Sequence, residues 1–240
     1  MTQICKQEII MRIFRVLTIL ILSVFYTSLV KAECIYKSDL FGKRIGIVGD
    51  SFFTTKDGFG NLENVLELTF HASNVQNSAA GGATLLGFGK KAIGNQPLDK
   101  PLDLLILGGG ANDFVKCGKD TKCQSQKLNW MISPGLTKGE YNKIINNHSN
   151  SETKSVILYN TVVGNHAPEK WQYMIKSGLA SKYAERMSSF ADVNPNIMWF
   201  DAGKILNPKN REHWLDDGYH PSMHGYKLIA KELFNRLCTM

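Results

Sequence analysis

Several features that would point to other classes of protein are missing from the 240-residue sequence. No run of five or more Lys or Arg residues occurs, so we expect no nucleic-acid partner. No linker, repeat or low-complexity segment divides the chain, whose length suits one large α/β domain. The composition, 43% hydrophobic and 20% charged, is that of an ordinary globular protein and argues against disorder.

The first 32 residues have the pattern of a secretory signal peptide. Arg12 and Arg15 precede an uncharged run over residues 16–30, whereas a membrane-spanning helix needs about 20 apolar residues. Val30-Lys31-Ala32 then places small residues at the −3 and −1 positions of a signal-peptidase site. We therefore predict a signal peptide over 1–32 and a secreted or periplasmic domain over 33–240, with no stable membrane span after cleavage. The alternative is an uncleaved N-terminal anchor.

Export changes the chemistry expected of the cysteines. The mature chain retains Cys34, Cys117, Cys123 and Cys238, and an even number of cysteines in an exported protein indicates disulfide bonds. Three pairings are possible. The short spacing between Cys117 and Cys123 favours a bridge there, which leaves Cys34 and Cys238 to connect the ends of the domain. A zinc site is the alternative, but the sequence has no Cys-x-x-Cys pair.

Apolar runs of strand length alternate with helical patterns in the rest of the chain. The runs lie at 44–48, 102–107, 155–159 and 197–200. Apolar residues recur at intervals of four from Trp171 to Met187, with Phe190 after them, which predicts one helix with a core-packing face. A last helix is indicated from Tyr226 onwards. Alternating strands and helices predict an α/β fold with a central parallel sheet covered on both sides.

Such sheets bind ligands at the carboxyl ends of their strands, so the loops there are candidate sites. Gly49-Asp50-Ser51 follows the first strand, and its serine needs a base in order to act as a nucleophile. Residues 108–113 follow the run at 102–107, and the Asn112 carboxamide there can donate to a developing oxyanion. The alternatives are a plain turn at Ser51 and a helix cap formed by Asn112 or Asp113.

Two more loops contribute candidates. Residues 77–84 contain Gly81 and Gly82, either of which could offer a second oxyanion donor through its backbone N–H. In the turn over 216–222, Asp217 precedes His220 by three residues and can reach its Nδ1–H, leaving Nε2 free as a base. One alternative is an exposed helix-entry loop.

The other alternative for this turn is a metal site, for which the sequence offers four residues: His213, Asp216, His220 and His224. Pro221 disfavours a helix that would contain both His220 and His224 at ligand spacing.

Four segments together resemble a known family. Gly49-Asp50-Ser51-Phe52, Gly82, Gly110-x-Asn112-Asp113 and Asp217-x-x-His220-Pro221 are similar, in order and spacing, to blocks I, II, III and V of the SGNH hydrolases, also called GDSL esterases/lipases. The resemblance extends from about residue 43 to residue 238. It departs from the family name at Phe52, where the name has Leu.

The resemblance implies a three-layer α/β/α flavodoxin-like SGNH-hydrolase fold with a central parallel sheet. It implies that Ser51 is the nucleophile, His220 the base and Asp217 the partner that orients it. It also implies an oxyanion hole formed by the N–H groups of Ser51 and Gly82 and the Asn112 side chain. Neither a metal nor an organic cofactor is needed for this chemistry.

The resulting expectation is an exported, monomeric serine esterase that acts on small-molecule, lipid or glycan esters through an acyl-enzyme. An acyltransferase that modifies an envelope glycan and a non-catalytic glycan- or lipid-binding module are the alternatives. Four lysines lie in the loop that follows Asn112: Lys116, Lys119, Lys122 and Lys127. We hypothesise that they form a basic rim favouring anionic esters, the alternative being a merely solvated loop.

Overall fold

A five-stranded, entirely parallel sheet organises the residues that the computed structural model describes, namely 40, 42–54 and 61–237. Its strands are β1 (Arg44–Val48), β2 (Asn74–Asn77), β3 (Leu104–Leu107), β4 (Lys154–Tyr159) and β5 (Ile197–Asp201). Their spatial order is β2-β1-β3-β4-β5. The predicted α/β fold with a central parallel sheet is therefore confirmed.

Helices surround this sheet. They are α1 (Leu62–Phe70), α2 (Ala111–Val115), α3 (Thr121–Met131), α4 (Glu140–His148), α5 (Glu169–Lys176), α6 (Leu179–Asp192) and α7 (Met223–Leu237). No helix within the described ranges is long and apolar enough to cross a membrane. The contacts group Leu40–Leu233 into one unit, and the described part of a second unit is the last turn of α7. The predicted signal peptide, Cys34 and Cys238 lie outside the described residues.

The central strands form because their apolar side chains are buried. All four residues of β3 are buried, as are Ile45 to Val48 of β1, which agrees with a parallel strand covered on both faces. Val48 and Leu107 are partners in the β1–β3 ladder, and the Gly108 N–H donates to the Val48 carbonyl oxygen at 3.1 Å. The loops that follow β1 and β3 therefore begin side by side at the same edge of the sheet.

The strand order separates these two loops. From β1 the chain crosses to β2 on one side, and from β2 it returns to β3 on the other side of β1. The connections after β1 and β3 thus diverge, which opens a crevice at the carboxyl ends of the two strands. Ser51 lies in the first of these loops, and Asn112 lies just after the second, in the first turn of α2.

One predicted helix is wrong. The apolar repeat from Trp171 to Phe190 predicted a single helix, but the structure has α5 and α6 with a break at Ser177 and Gly178. Gly178 has a φ of +75°, a left-handed conformation that ends α5 and reorients the chain before α6. The predicted buried face of α7 is confirmed at Tyr226, Ile229, Ala230 and Leu233.

Candidate active site

Ser51 lies on a tight turn after β1. The Asp50 carboxylate accepts a hydrogen bond from the Phe52 N–H at 3.0 Å, and the Phe53 N–H donates to the Asp50 carbonyl oxygen at 3.1 Å. The Tyr226 hydroxyl of α7 donates to the Phe52 carbonyl oxygen. Within the described residues, the Ser51 N–H has no acceptor. The turn is thus fixed on both sides of Ser51, while the amide of Ser51 stays available.

A buried glutamine fixes the start of this turn. Gln96 is 3% exposed, and its side chain accepts from the Gly49 N–H and donates to the Gly49 carbonyl oxygen, both at 2.7 Å. A Cβ atom at Gly49 would lie 2.7 Å from the Gly108 carbonyl oxygen and closer still to the Phe53 ring, so only glycine fits. Sequence reasoning missed Gln96, because nothing local distinguishes it from other polar loop residues.

Two buried tyrosines hold the glycine loop after β3. The hydroxyls of Tyr141 in α4 and Tyr183 in α6 lie 3.0 and 3.1 Å from the Gly109 carbonyl oxygen and contact each other. Burial raises the pKa of both tyrosines well above the ordinary value, so both stay neutral. Gly110, with a φ of +101°, then starts α2.

Asn112 and Asp113 connect this loop to the one after β2. The Asn112 side-chain amide donates to the Ala83 carbonyl oxygen at 3.0 Å and retains a second N–H for another acceptor. The Asp113 carboxylate accepts from the N–H groups of Leu85 and Leu86 at 2.8 and 3.1 Å. Burial raises the pKa of Asp113, and these two hydrogen bonds partly offset the effect. Neither side chain caps α2, so the cap interpretation is wrong.

Gly81 and Gly82 form the turn between β2 and this connection. The Ala83 N–H closes the turn on the Ala80 carbonyl oxygen at 3.0 Å, and Gly82 has a φ of +72°. Both glycines border the same cleft as Ser51. Among the described residues, neither glycine N–H has an acceptor. A backbone donor is therefore present on the border of the cleft that Ser51 also lines.

Asp217 and His220 pair as the spacing predicted. The Asp217 Oδ2 lies 2.6 Å from His220 Nδ1, and Oδ1 accepts from the N–H groups of Tyr219 and His220, both at 3.0 Å. Burial opposes ionisation, but these hydrogen bonds outweigh it and lower the pKa of Asp217. His220 Nε2 is buried and has no hydrogen-bond partner in the part of the chain described here. This nitrogen is therefore available to take a proton.

The alternative metal ligands do not converge. Asp216 is fully exposed and lies 3.5 Å from an Arg211 nitrogen, whereas His213 Nδ1 accepts the Asn207 N–H at 2.8 Å. The rings of His213 and His224 are 5.5 Å apart between centroids. Within residues 40, 42–54 and 61–237, no group of three or more His, Cys, Asp or Glu residues could hold a metal ion.

A cavity and a cleft meet at Ser51, Asn112 and His220. One is a narrow apolar cavity of about 60 Å³, and the other is an open cleft of about 790 Å³. Five residues border both of them: Ser51, Asn112, Trp171, Tyr219 and His220. The hydroxyl, the imidazole and the carboxamide therefore share one site, although they come from three separate segments of the chain.

The role predicted for the start of the apolar repeat needs correction. Trp171 and Ile175 of α5 are half-buried and line the cavity, and Trp171 also packs against the core, whereas Tyr183 and Met187 of α6 are fully buried. The Trp171 ring stacks on Tyr219 at 5.0 Å between centroids, and Tyr219 in turn lies 4.1 Å from His220. Apolar spacing alone does not distinguish a core face from a pocket wall, which explains the error.

The segment after Asn112 gives two further results. Cys117 and Cys123 adopt disulfide geometry, with their Cα atoms 5.6 Å apart. None of the four lysines proposed as a basic rim lines the cavity or the cleft, whereas Lys170 borders the cleft. The Lys119 ammonium instead lies 5.7 Å from the centre of the Tyr173 ring.

Solved structures with the same fold include several hydrolases. One is a protein from Slackia heliotrinireducens assigned to the SGNH hydrolases, with a TM-score of 0.54, 18% identity, and coverage of 82% of this chain and 100% of that chain. A Clostridium thermocellum family 3 carbohydrate esterase has a TM-score of 0.52 at 17% identity, over 82% and 98% of the two chains. A lipase from a goat rumen metagenome has a TM-score of 0.52 at 16% identity, over 82% and 97%.

The family of the chain follows from its sequence as a whole. A comparison with curated proteins finds no match. The family model of the GDSL-like lipases/acylhydrolases, however, matches residues 47–228, a segment that starts in β1 and ends within α7. It includes every candidate residue of the site. The chain therefore belongs to the GDSL-like lipase/acylhydrolase family and is a carboxylic ester hydrolase.

Proposed function

We propose that this protein is an exported serine esterase in which Ser51, His220 and Asp217 form a catalytic triad. The observation that carries the proposal is the 2.6 Å contact between Asp217 and His220 Nδ1, with Nε2 unpartnered within the described residues and Ser51 bordering the same cavity. This arrangement supplies a nucleophile, a base and a carboxylate that orients the base.

Acylation transfers one proton and forms one bond. The Ser51 hydroxyl oxygen attacks the ester carbonyl carbon while His220 Nε2 takes the hydroxyl proton. The resulting oxyanion accepts hydrogen bonds from the N–H groups of Ser51 and Gly82 and from the Asn112 carboxamide. Asp217 stays ionised, as its lowered pKa indicates, and stabilises the imidazolium.

The remaining steps regenerate the enzyme. Collapse of the oxyanion breaks the bond between the carbonyl carbon and the alcohol oxygen, and the imidazolium of His220 gives its proton to that oxygen. The alcohol leaves, and Ser51 carries the acyl group. Water then attacks the acyl-enzyme with His220 as base, and collapse of the second oxyanion releases a carboxylic acid and protonated Ser51.

Export is part of the proposal and rests on residues 1–32 and on the cysteines of the mature chain. The disulfide geometry of Cys117 and Cys123 is compatible with folding in an oxidising compartment. Titration of free thiols in unfolded, unreduced mature protein tests both bridges. We expect none, whereas four titratable thiols would contradict both bridges and weaken the argument for export.

The decisive experiment labels the nucleophile. A fluorophosphonate probe followed by peptide mapping is expected to modify Ser51, and Ser51→Ala is expected to abolish hydrolysis of a short chromogenic ester. Ser78→Ala, the same chemical change in the loop after β2, is the control and should retain activity. Full activity of a folded Ser51→Ala protein would refute the triad. Product analysis with and without an acceptor alcohol separates hydrolysis from acyl transfer.

A further inference from the structure

The two spaces beside Ser51 differ in size and in chemistry. The cavity of about 60 Å³ is lined mainly by apolar side chains, among them Phe53, Leu158, Met174 and Ile175. The cleft of about 790 Å³ is more than ten times larger and borders polar groups. An ester also has two sides, an acyl chain and an alcohol, and both must fit when the carbonyl carbon lies at Ser51.

The order in which bonds break during the reaction indicates which side of the ester the cavity holds and which side the cleft holds. The acyl chain stays bonded to Ser51 in the acyl-enzyme, whereas the alcohol must leave and water must enter before the second half of the reaction. A narrow apolar cavity suits the part that stays, and a wide cleft suits the part that leaves. We therefore place the acyl chain in the cavity and the alcohol in the cleft.

The volume of the cavity limits the chain length. An apolar cavity of about 150 Å³ holds benzene, which corresponds to roughly 25 Å³ for each carbon atom. The cavity of about 60 Å³ then holds about two or three carbons beyond the carbonyl carbon. A longer chain would reach beyond this cavity or would need side chains to move.

The lining of the cleft indicates the character of the alcohol. Thr54, Lys170 and Asp216 bring a hydroxyl, an ammonium and a carboxylate to its border, and Trp214 contributes an aromatic surface. Thr54, Lys170 and Asp216 are partly or fully exposed and therefore hydrated, and an alkyl chain would displace water from them without replacing its hydrogen bonds, which is unfavourable. A bulky alcohol with several hydroxyl groups satisfies them.

We propose that the substrate is a short-chain acyl ester, of two to four acyl carbons, of a sugar-sized polyhydroxyl alcohol. This inference rests on the proposed function of Ser51. Ile175 and Val163 set the acyl limit, because both also border a separate pocket of about 150 Å³. Truncation of Ile175 joins the two spaces and makes room for longer chains.

A chain-length series tests the acyl side. We expect kcat/KM for 4-nitrophenyl acetate and butyrate to exceed that for the octanoate by about 100-fold or more, since one excess methylene in a filled pocket costs about tenfold or more. In Ile175→Ala the ratio of butyrate to octanoate should fall at least about tenfold. Ile205→Ala, at a half-buried isoleucine that does not line the cavity, is the matched control and should keep the wild-type ratio.

A second series tests the alcohol side at a constant acyl group. 6-O-Acetylglucose, which keeps four free hydroxyl groups, should be hydrolysed with a higher kcat/KM than octyl acetate. A preference for octyl acetate would replace the sugar-sized alcohol with a lipid-like one and overturn this part. Equal rates on 4-nitrophenyl butyrate and octanoate in the wild type would overturn the acyl limit. Both results leave Ser51-dependent hydrolysis intact, whereas ester hydrolysis that persists in Ser51→Ala refutes the proposed function itself.

Discussion

The buried carboxylate of Asp50, next to Ser51, has a measurable cost for stability. Asp50 is 5% exposed, and burial raises its pKa from 3.8 to about 6, an effect increased by the charge of Asp113 and reduced by the Phe52 N–H and by His220. In the unfolded chain the same carboxyl titrates at its ordinary value. Between these two values the folded protein therefore binds a proton that the unfolded chain releases.

The sign and the size of the effect follow from this difference. Since the folded state holds the proton more tightly, stability is lost as the pH rises from about 4, and the loss is complete above the folded pKa of about 6. A shift of about two pKa units corresponds to about 3 kcal/mol of unfolding free energy. Asp50→Asn keeps an oxygen that can accept the Phe52 N–H and removes the ionisation, so the variant should gain most of this amount relative to wild type between pH 4 and pH 7.

Urea unfolding of wild type and Asp50→Asn at several pH values from 4 to 8 measures the gain directly. The difference in unfolding free energy should be small at pH 4 and should grow by about 2–3 kcal/mol by pH 7. Asp216→Asn, which removes a carboxylate that is fully exposed, is the matched control. A difference for Asp50→Asn that stays constant from pH 4 to pH 8 would show that Asp50 carries no burial penalty and would refute the reasoning.

Two other predictions concern Asp217 and the buried His148. Asp217→Asn should lower kcat by about 10³–10⁴-fold, because His220 then loses the partner that fixes its tautomer. The control Asp216→Asn should keep kcat within about twofold of wild type. The reverse order in steady-state assays would show that Asp216 is the carboxylate that orients His220. His148 is buried, and no partner contacts its ring nitrogens in the described residues. Burial and, secondarily, Lys100 lower the pKa of His148, so its protonation in the unfolded chain should reduce stability as pH falls below about 6.5. His148→Phe should flatten that acid limb in urea unfolding, and an unchanged limb would exclude His148 as its source.

The fold could be predicted because its determinants are local. The run over 44–48 matches β1 residue for residue, and the run at 197–200 differs from β5 by one residue. The strands β1, β3 and β4 are largely apolar and buried, and the glycine-containing loops after β1 and β3 indicate where these strands end. The break between α5 and α6 was missed because the four-residue spacing of apolar side chains continues across Gly178, so the periodicity carries no sign of the left-handed turn.

The residues that the structure brings together in the candidate site could be named from the sequence, but the groups that hold them could not. Asp217 and His220 are three residues apart, so their pairing is encoded in one turn. Gln96 is 47 residues from Gly49, and Tyr183 is 74 residues from Gly109. A single sequence shows no pattern that links a polar side chain to a backbone amide at such distances. These contacts depend on the packing of the whole sheet.

The distant contacts explain how loops at the edge of a sheet can hold a defined site. Gln96, Asp113 and the Tyr141–Tyr183 pair are buried, and each one bonds backbone groups of a different loop around the crevice. Removing one partner would leave a buried polar group unsatisfied, at a cost of about 1–3 kcal/mol. Because a loop that shifts loses this energy, its position is coupled to the core. The geometry of the candidate site is thus maintained by side chains that line neither the cavity nor the cleft, and substitutions there should lower activity together with stability.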